Sequence, residues 1–237
     1  MPNLPPRRRS GRPSWTEPII NRLTPTTKAF VVASGILYLF YVVVRPAREL
    51  MIMHLAVGPR LLAGEVWQPF TALFFTPEFV GFILNTIGIW FMGPLLEKIQ
   101  GTKQAVALFL VAGVGSNLVQ VAIAPGVLTW GSSDALLALF VAYGRIFGRT
   151  ETPVWGALYM QARTLAIVFV GLAILGCIFQ RSVPALAGVL TATLVGYVGG
   201  KPGGFAEAWA SLRARRARRR YQVLEGGGGR AKKKYVN

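Results

Sequence analysis

The stretch "TWGSSDALLALF", Thr129 to Phe140, sets Ser132, Ser133 and Asp134 at the entrance to an apolar run. A serine in that place is either a buried nucleophile or the cap of a helix. As a nucleophile it needs a nearby base, because a hydroxyl is weakly reactive until its proton is taken. The chain's one histidine, His54, lies far up the sequence, and no lysine falls inside an apolar segment. Asp134 adjoins Ser133, but neighbours in sequence do not share a helix face. As a cap, Ser132 or Ser133 would accept from a free backbone N–H of the first turn. Asp134 would then sit where the helix dipole favours a negative charge, and Gly131 would supply the turn. The residues on their own favour the cap. One histidine, one cysteine (Cys177) and no paired carboxylates leave too few ligands for a metal, so neither metal nor cofactor is expected.

The elements that would hold these residues are apolar. Hydrophobic residues make up 53% of the 237, against 15% charged, which is ordinary for a chain that crosses a bilayer. Six segments stand out: 29–44, 79–96, 105–124, 133–147, 165–179 and 183–199. Backbone in lipid must satisfy its own hydrogen bonds, so each is read as a helix. Lys and Arg fix the orientation. Arg7, Arg8, Arg9, Arg12, Arg22 and Lys28 precede the first segment. Lys98 and Lys103 separate the second and third; Arg145, Arg149 and Arg163 flank the loop between the fourth and fifth; Lys201 opens a basic tail. With six crossings these regions share one side, which places both termini in the cytoplasm. The opposite side then carries the short "APGVLTWG" and "QRSVP" connections and a first loop with Arg45, Arg48 and Arg60.

Three regions follow: a basic, proline-rich tail (1–28), a six-helix membrane domain (29–200) and a basic C-terminal tail (201–237). Within the membrane domain the first loop, 46–77, is apolar enough to lie in the interface as short helices. Its Trp67, Phe70, Phe74 and Phe75 suit headgroup depth. Gly188, Ala192, Gly196 and Gly200 recur every fourth residue, a small-residue face that lets another helix approach closely and places the sixth helix deep in the bundle. Asn85 and Asn117 read as hydrogen-bonding groups between helices or as a polar cavity, and Glu97 as the partner of a basic loop residue. In the tail, Phe205, Trp209 and Leu212 suggest an amphipathic turn. The basic runs at 213–220 and 230–234 would attract anionic lipid headgroups, at about 1 kcal/mol per residue. No base-reading module is present, so no specific nucleic-acid partner is expected.

The run "GEVWQPFTALFFTPEFVGFILNTIGIWFMGPLLEKIQGTKQAVALFLVAGVGSNL" resembles the rhomboid intramembrane proteases from first loop to third helix. "GSSD" is similar to the family's Gly-x-Ser-Gly at the start of helix four, and "PALAGVLTATLVG" to its small-residue sixth helix. The likeness covers 64–200 and implies an all-α, six-helix membrane bundle with a lateral opening between helices two and five. In the family a serine on helix four pairs with a histidine on helix six. Here Ser133 stands at the serine position and Ala185, three residues before Gly188, at the histidine position. A methyl group cannot accept a proton. The helix-two histidine position is Gly81, with Asn85 retained; the glycine after the nucleophile is Asp134, whose charge would oppose an oxyanion; the first-loop arginine position is Gln68.

The resemblance therefore implies a pseudoprotease, catalytically inactive, that binds or scaffolds transmembrane segments of other proteins through Asn85, Gly131, Ser132, Ser133 and Asp134. Two alternatives stand beside it: an intramembrane serine endopeptidase using Ser133 with a non-standard base, His54 being the one histidine available, and a structural subunit of a larger membrane complex. The short loops and the character of the N-terminus point to a bacterial inner (plasma) membrane. Oligomeric state is not legible.

Overall fold

The computed structural model describes residues 23–154 and 158–201. The arginine-rich N-terminus, the Phe205, Trp209 and Leu212 pattern and the basic runs 213–220 and 230–234 lie outside the described residues. The Thr24 hydroxyl accepts from the Thr27 N–H at 3.4 Å, and Pro25 takes the first helical position, where a missing N–H is no loss. Helix α1 (Pro25–Val43) thus starts at Pro25 rather than Ala29. The first loop folds into a short 3₁₀ turn (Arg45–Ala47) and three short helices, α2 (Arg48–Leu55), α3 (Pro59–Leu62) and α4 (Gln68–Thr71). Two long helices follow, α5 (Phe79–Gln100) and α6 (Thr102–Ile123), joined by Gly101 alone. Its φ of +85° is the left-handed region that L side chains avoid.

Helix α7 (Ser133–Phe147) ends at Gly148, and a two-stranded antiparallel hairpin, β1 (Glu151–Val154) with β2 (Leu158–Gln161), leads into α8 (Ala162–Phe179). The hairpin falls in the loop between the fourth and fifth apolar segments, where no strand is expected from the sequence pattern. The Ser182 hydroxyl caps α9 (Val183–Gly199) by accepting from the Ala185 N–H at 3.3 Å.

Four described helices, α1, α5, α6 and α8, have the length and apolarity that a bilayer crossing requires. Helix α9 is apolar but has 17 residues, and α7 has 15. The reason lies in packing. Every residue of α7 from Ala135 to Gly144 is buried, with α5, α6, α8 and α9 packed around it. A helix sheathed by other helices is not required to match the bilayer in length or in outward polarity. The main core gathers Ile89 and Leu96 of α5, Leu108 of α6, Leu139 and Tyr143 of α7 and Leu165 of α8. Outward faces are apolar instead of charged: Phe91, Leu172, Phe179 and Leu194 are all exposed, as a lipid-facing surface demands.

The small-residue face of α9 meets α7 and α6. Ala192 packs with Ala112 and Ala138, and a Cβ on Gly196 would lie 2.5 Å from the Ala138 carbonyl oxygen and 2.8 Å from its Cα. Its opposite face, with Leu190 and Leu194, is exposed, so α7 rather than α9 is the innermost helix. Glu97 also departs from expectation. Among the described residues it has no basic partner; its Oε1 accepts from the Thr24 hydroxyl at 2.6 Å and the Thr27 hydroxyl at 3.2 Å, tying α1 to α5.

Gly196→Val should destabilise the bundle by about 1–3 kcal/mol, because the obstructing atoms are backbone and cannot rotate away. Thermal unfolding in detergent should show a lowered midpoint for Gly196→Val and none for Gly171→Val, which has nothing within 4 Å of its Cβ position.

Candidate functional site

The first loop is fastened by Gln68, which is fully buried. Its Nε2 donates to the Met53 carbonyl at 3.0 Å and to Glu65 Oε2 at 2.9 Å, while its Oε1 accepts from the Gly58 N–H at 3.2 Å. On the loop's outer side, Glu65 Oε1 pairs with His54 Nδ1 at 3.0 Å and with Arg60 Nη1 at 3.4 Å. Desolvation pushes the Glu65 carboxyl up, but His54, by hydrogen bond and charge, together with Arg60 and Gln68, outweighs it and holds the group below its ordinary 4.5. The loop is locked to the bundle by a two-way backbone bridge, Val57 with Thr129, both bonds 2.8 Å.

That bridge leads directly to the sequence in question. The Gly131 N–H donates to the Ala72 carbonyl at 2.8 Å, with φ at +92°. A Cβ on Gly131 would lie 3.4 Å from Thr76 Oγ1, 3.5 Å from Asn85 Nδ2 and 3.6 Å from Ser133 Oγ. This glycine is where the first loop, α5 and α7 converge. Ser132 occupies the N-cap of α7, but its side chain makes no capping hydrogen bond. The cap expected from sequence fails because Ser132 adopts φ −102°, ψ 11° rather than an extended conformation, and its side chain is buried. Ser133 is exposed instead, into a cavity of about 570 Å³.

The cavity is bounded by α5, α6, α7, α8 and α9, with the Thr129–Gly131 loop at one end. Its polar groups include Asn85, Asn117, Gln120, Ser133, Asp134 and Gln180; Ala185 lines it too. Apolar walls come from α7 and α8, where Phe140 and Phe169 stack at 4.1 Å. Gly81 is not among the lining residues; its Cβ direction points toward Thr76 Cγ2, 3.2 Å away. His54 is likewise absent from the lining. Asn117 donates to the Pro69 carbonyl at 3.3 Å, so it ties α6 to the first loop instead of bridging two spanning helices. Helices α5 and α8 make almost no contact with each other, which leaves a lateral gap on that side.

Sequence reasoning missed Gln120. Its Nε2 donates to Asp134 Oδ2 at 2.9 Å, and the Ser116 hydroxyl donates to the Gly188 carbonyl at 3.0 Å. A Cβ on Gly188 would collide with Gln120 Nε2 and come within 2.7 Å of Asp134 Oδ2. The Asp134 carboxylate therefore occupies room that only a glycine on α9 leaves free. The available signal was a polar step, Ser116, Asn117 and Gln120, inside an otherwise apolar helix. Trp130 was missed as well; its Nε1 donates to both carboxylate oxygens of Glu78 at 2.8 Å, joining the loop before α7 to the start of α5. Ser133 has a hydroxyl facing open space, with no imidazole or amine among the lining residues to take its proton.

Long apolar helices around an enclosed helix with a polar cavity at its start define an integral, multi-pass helical membrane protein. The chain belongs to the rhomboid family: the Rhomboid domain matches residues 63–213, well over half of its length. No curated protein matches it.

A carboxylate held below its ordinary value stabilises the fold above that value and loses the contribution as pH falls through the held value. Amide exchange at 58–68, corrected for intrinsic rate, should therefore quicken as pH drops below about 4.5, the ordinary value of Glu65. Glu65→Gln should already exchange fast at neutral pH and show no such step.

Proposed function

We propose that this chain is a rhomboid-family protein that binds membrane-spanning segments of partners without cutting them. The observation that carries the reading is Ala185, which lines the same cavity as Ser133 where the family's pattern would have its histidine. The chain's one histidine is engaged by Glu65 in the first loop. Asp134, the nearest ionisable group in sequence, accepts from Gln120 and packs against Gly188. A serine hydroxyl without a base is a poor nucleophile. What remains is a polar cavity opening toward the gap between α5 and α8, with Asn85, Gly131, Ser133 and Asp134 as its contact groups and Ser132 buried behind them. Polar groups at membrane depth are costly and mark sites of use.

In this reading α7 and α9 cross with the four longer helices, which makes six crossings with both termini cytoplasmic, as the placement of Lys and Arg requires. The membrane is the plasma membrane of a bacterium, and the basic runs 213–220 and 230–234 hold the tail against anionic lipid.

A fluorophosphonate probe, which labels activated serines, tests the catalytic half of the reading. The purified protein should label no more than Ser133→Ala. Labelling that disappears in Ser133→Ala would show an activated nucleophile and overturn the proposal.

A further inference from the structure

We infer that the cavity selects membrane-spanning segments that carry a basic side chain, a lysine ammonium above all, within their apolar stretch. The inference rests on the reading that the cavity takes such segments at all. It starts from an unbalanced charge. Asp134 is the one ionisable carboxyl on the lining, and none of the described lining residues is basic. Its hydrogen-bond partner Gln120 is neutral, and the described ion pairs involve only Glu65 with His54 and Arg60. Arg181 follows the lining residue Gln180 in the α8–α9 turn but is exposed and outside the cavity.

Depth makes this imbalance matter. At about 1.5 Å per residue the 15 residues of α7 reach about 22 Å, short of a hydrocarbon core of roughly 30 Å. In the six-crossing reading, with the Gly148 end at one interface, the Ser133–Asp134 start falls below the other. A carboxylate there, with only the neutral Gln120 and Ser116 beside it among the described residues, is complementary to a cation that is itself poorly placed in lipid. Each charge relieves the desolvation of the other, and neither is served by an all-apolar segment.

Size and access fit the same occupant. A space of about 570 Å³ takes a few side chains and not a helix, so a segment must present its residues side-on. The gap between α5 and α8 is the direction of approach, and Leu172 on α8 both lines the cavity and is exposed. Asn85, Ser133 and the rest of the polar lining can hydrogen-bond any backbone that loosens around the lysine.

The test uses the full chain with a photocrosslinking p-benzoylphenylalanine at Leu172, in vesicles of phosphatidylcholine and phosphatidylglycerol. Single-span Leu-Ala peptides carry one Lys, norleucine or Glu at matched depth. The lysine peptide should crosslink at least about fivefold more than the norleucine peptide, and the glutamate peptide least. Asp134→Asn should bring the lysine peptide down to the norleucine level. Equal crosslinking of lysine and norleucine peptides would overturn the inference while leaving partner binding intact. No crosslinking of any peptide would remove both. A lysine preference that survives Asp134→Asn would also overturn it, as would loss of the lysine peptide on adding phosphatidylethanolamine, which would assign the carboxylate to a lipid amine. The peptide series on the unaltered chain decides the matter even if Asp134→Asn does not fold.

Discussion

The architecture depends on the close approach of α7 and α9. Gly196 sits so near Ala138 that no side chain fits between the two backbones, and Gly200 stands in the same relation to Ala142. With no water to drive apolar faces together, association inside lipid relies on such contact. Once α9 is seated, α7 is closed on every side, and from this enclosure its other properties follow. A buried helix is free to be short, and its start, with Gly131, Ser133 and Asp134, lines a cavity bounded by five helices. The first loop fills in above them, locked through the Val57–Thr129 bridge and through Gly131 on Ala72.

The polar groups near the start of α7 fall into two sets. Asp134, Gln120, Ser116 and the Gly188 carbonyl form a satisfied knot among α6, α7 and α9. Asn85 and Ser133 face open cavity space beside Gly131. The first set is structural in its contacts, yet it is built around a carboxylate with no cation among the described residues. Replacing Asp134 by an apolar residue would leave Gln120 without its acceptor, so the charge is retained by its own hydrogen bond as well as by any ligand. Buried polar networks tolerate no partial removal.

Much of this was legible because it rests on local rules. The starts of α5, α7 and α9 at Phe79, Ser133 and Val183 follow from turn residues and a sharp change in hydropathy, and the Gly188 to Gly200 stripe announced a close helix contact. What was not legible depends on partners distant in sequence. Charge alone pairs Glu97 with a basic loop residue, whereas two threonine hydroxyls some 70 residues away donate to its Oε1. Ser132 looked like a cap by residue type, but its backbone conformation rules the bond out. Gln120 carried no motif and gained its meaning only from Asp134 and Gly188 across two helix interfaces.

In the proposed reading the family's two histidine positions fall at Ala185 and Gly81, and the close approach of α7 and α9 depends on neither. Ala185 sits in the first turn of α9, where Ser182 receives its N–H and the side chain merely faces the cavity. Gly81 lies against Thr76 and Glu78, away from the cavity. Ala185 packs at the edge of the Leu137, Cys177 and Val189 cluster, but no backbone approach of the kind made by Gly196 depends on it or on Gly81. Asp134 differs in kind, because it needs Gln120 as donor and Gly188 as a vacancy opposite. A carboxylate that arrives with both a donor and a fitted space is part of an organised site. In the proposed reading Ala185 offers no base and Asp134 brings a negative charge, a combination that disfavours an oxyanion and favours a cation.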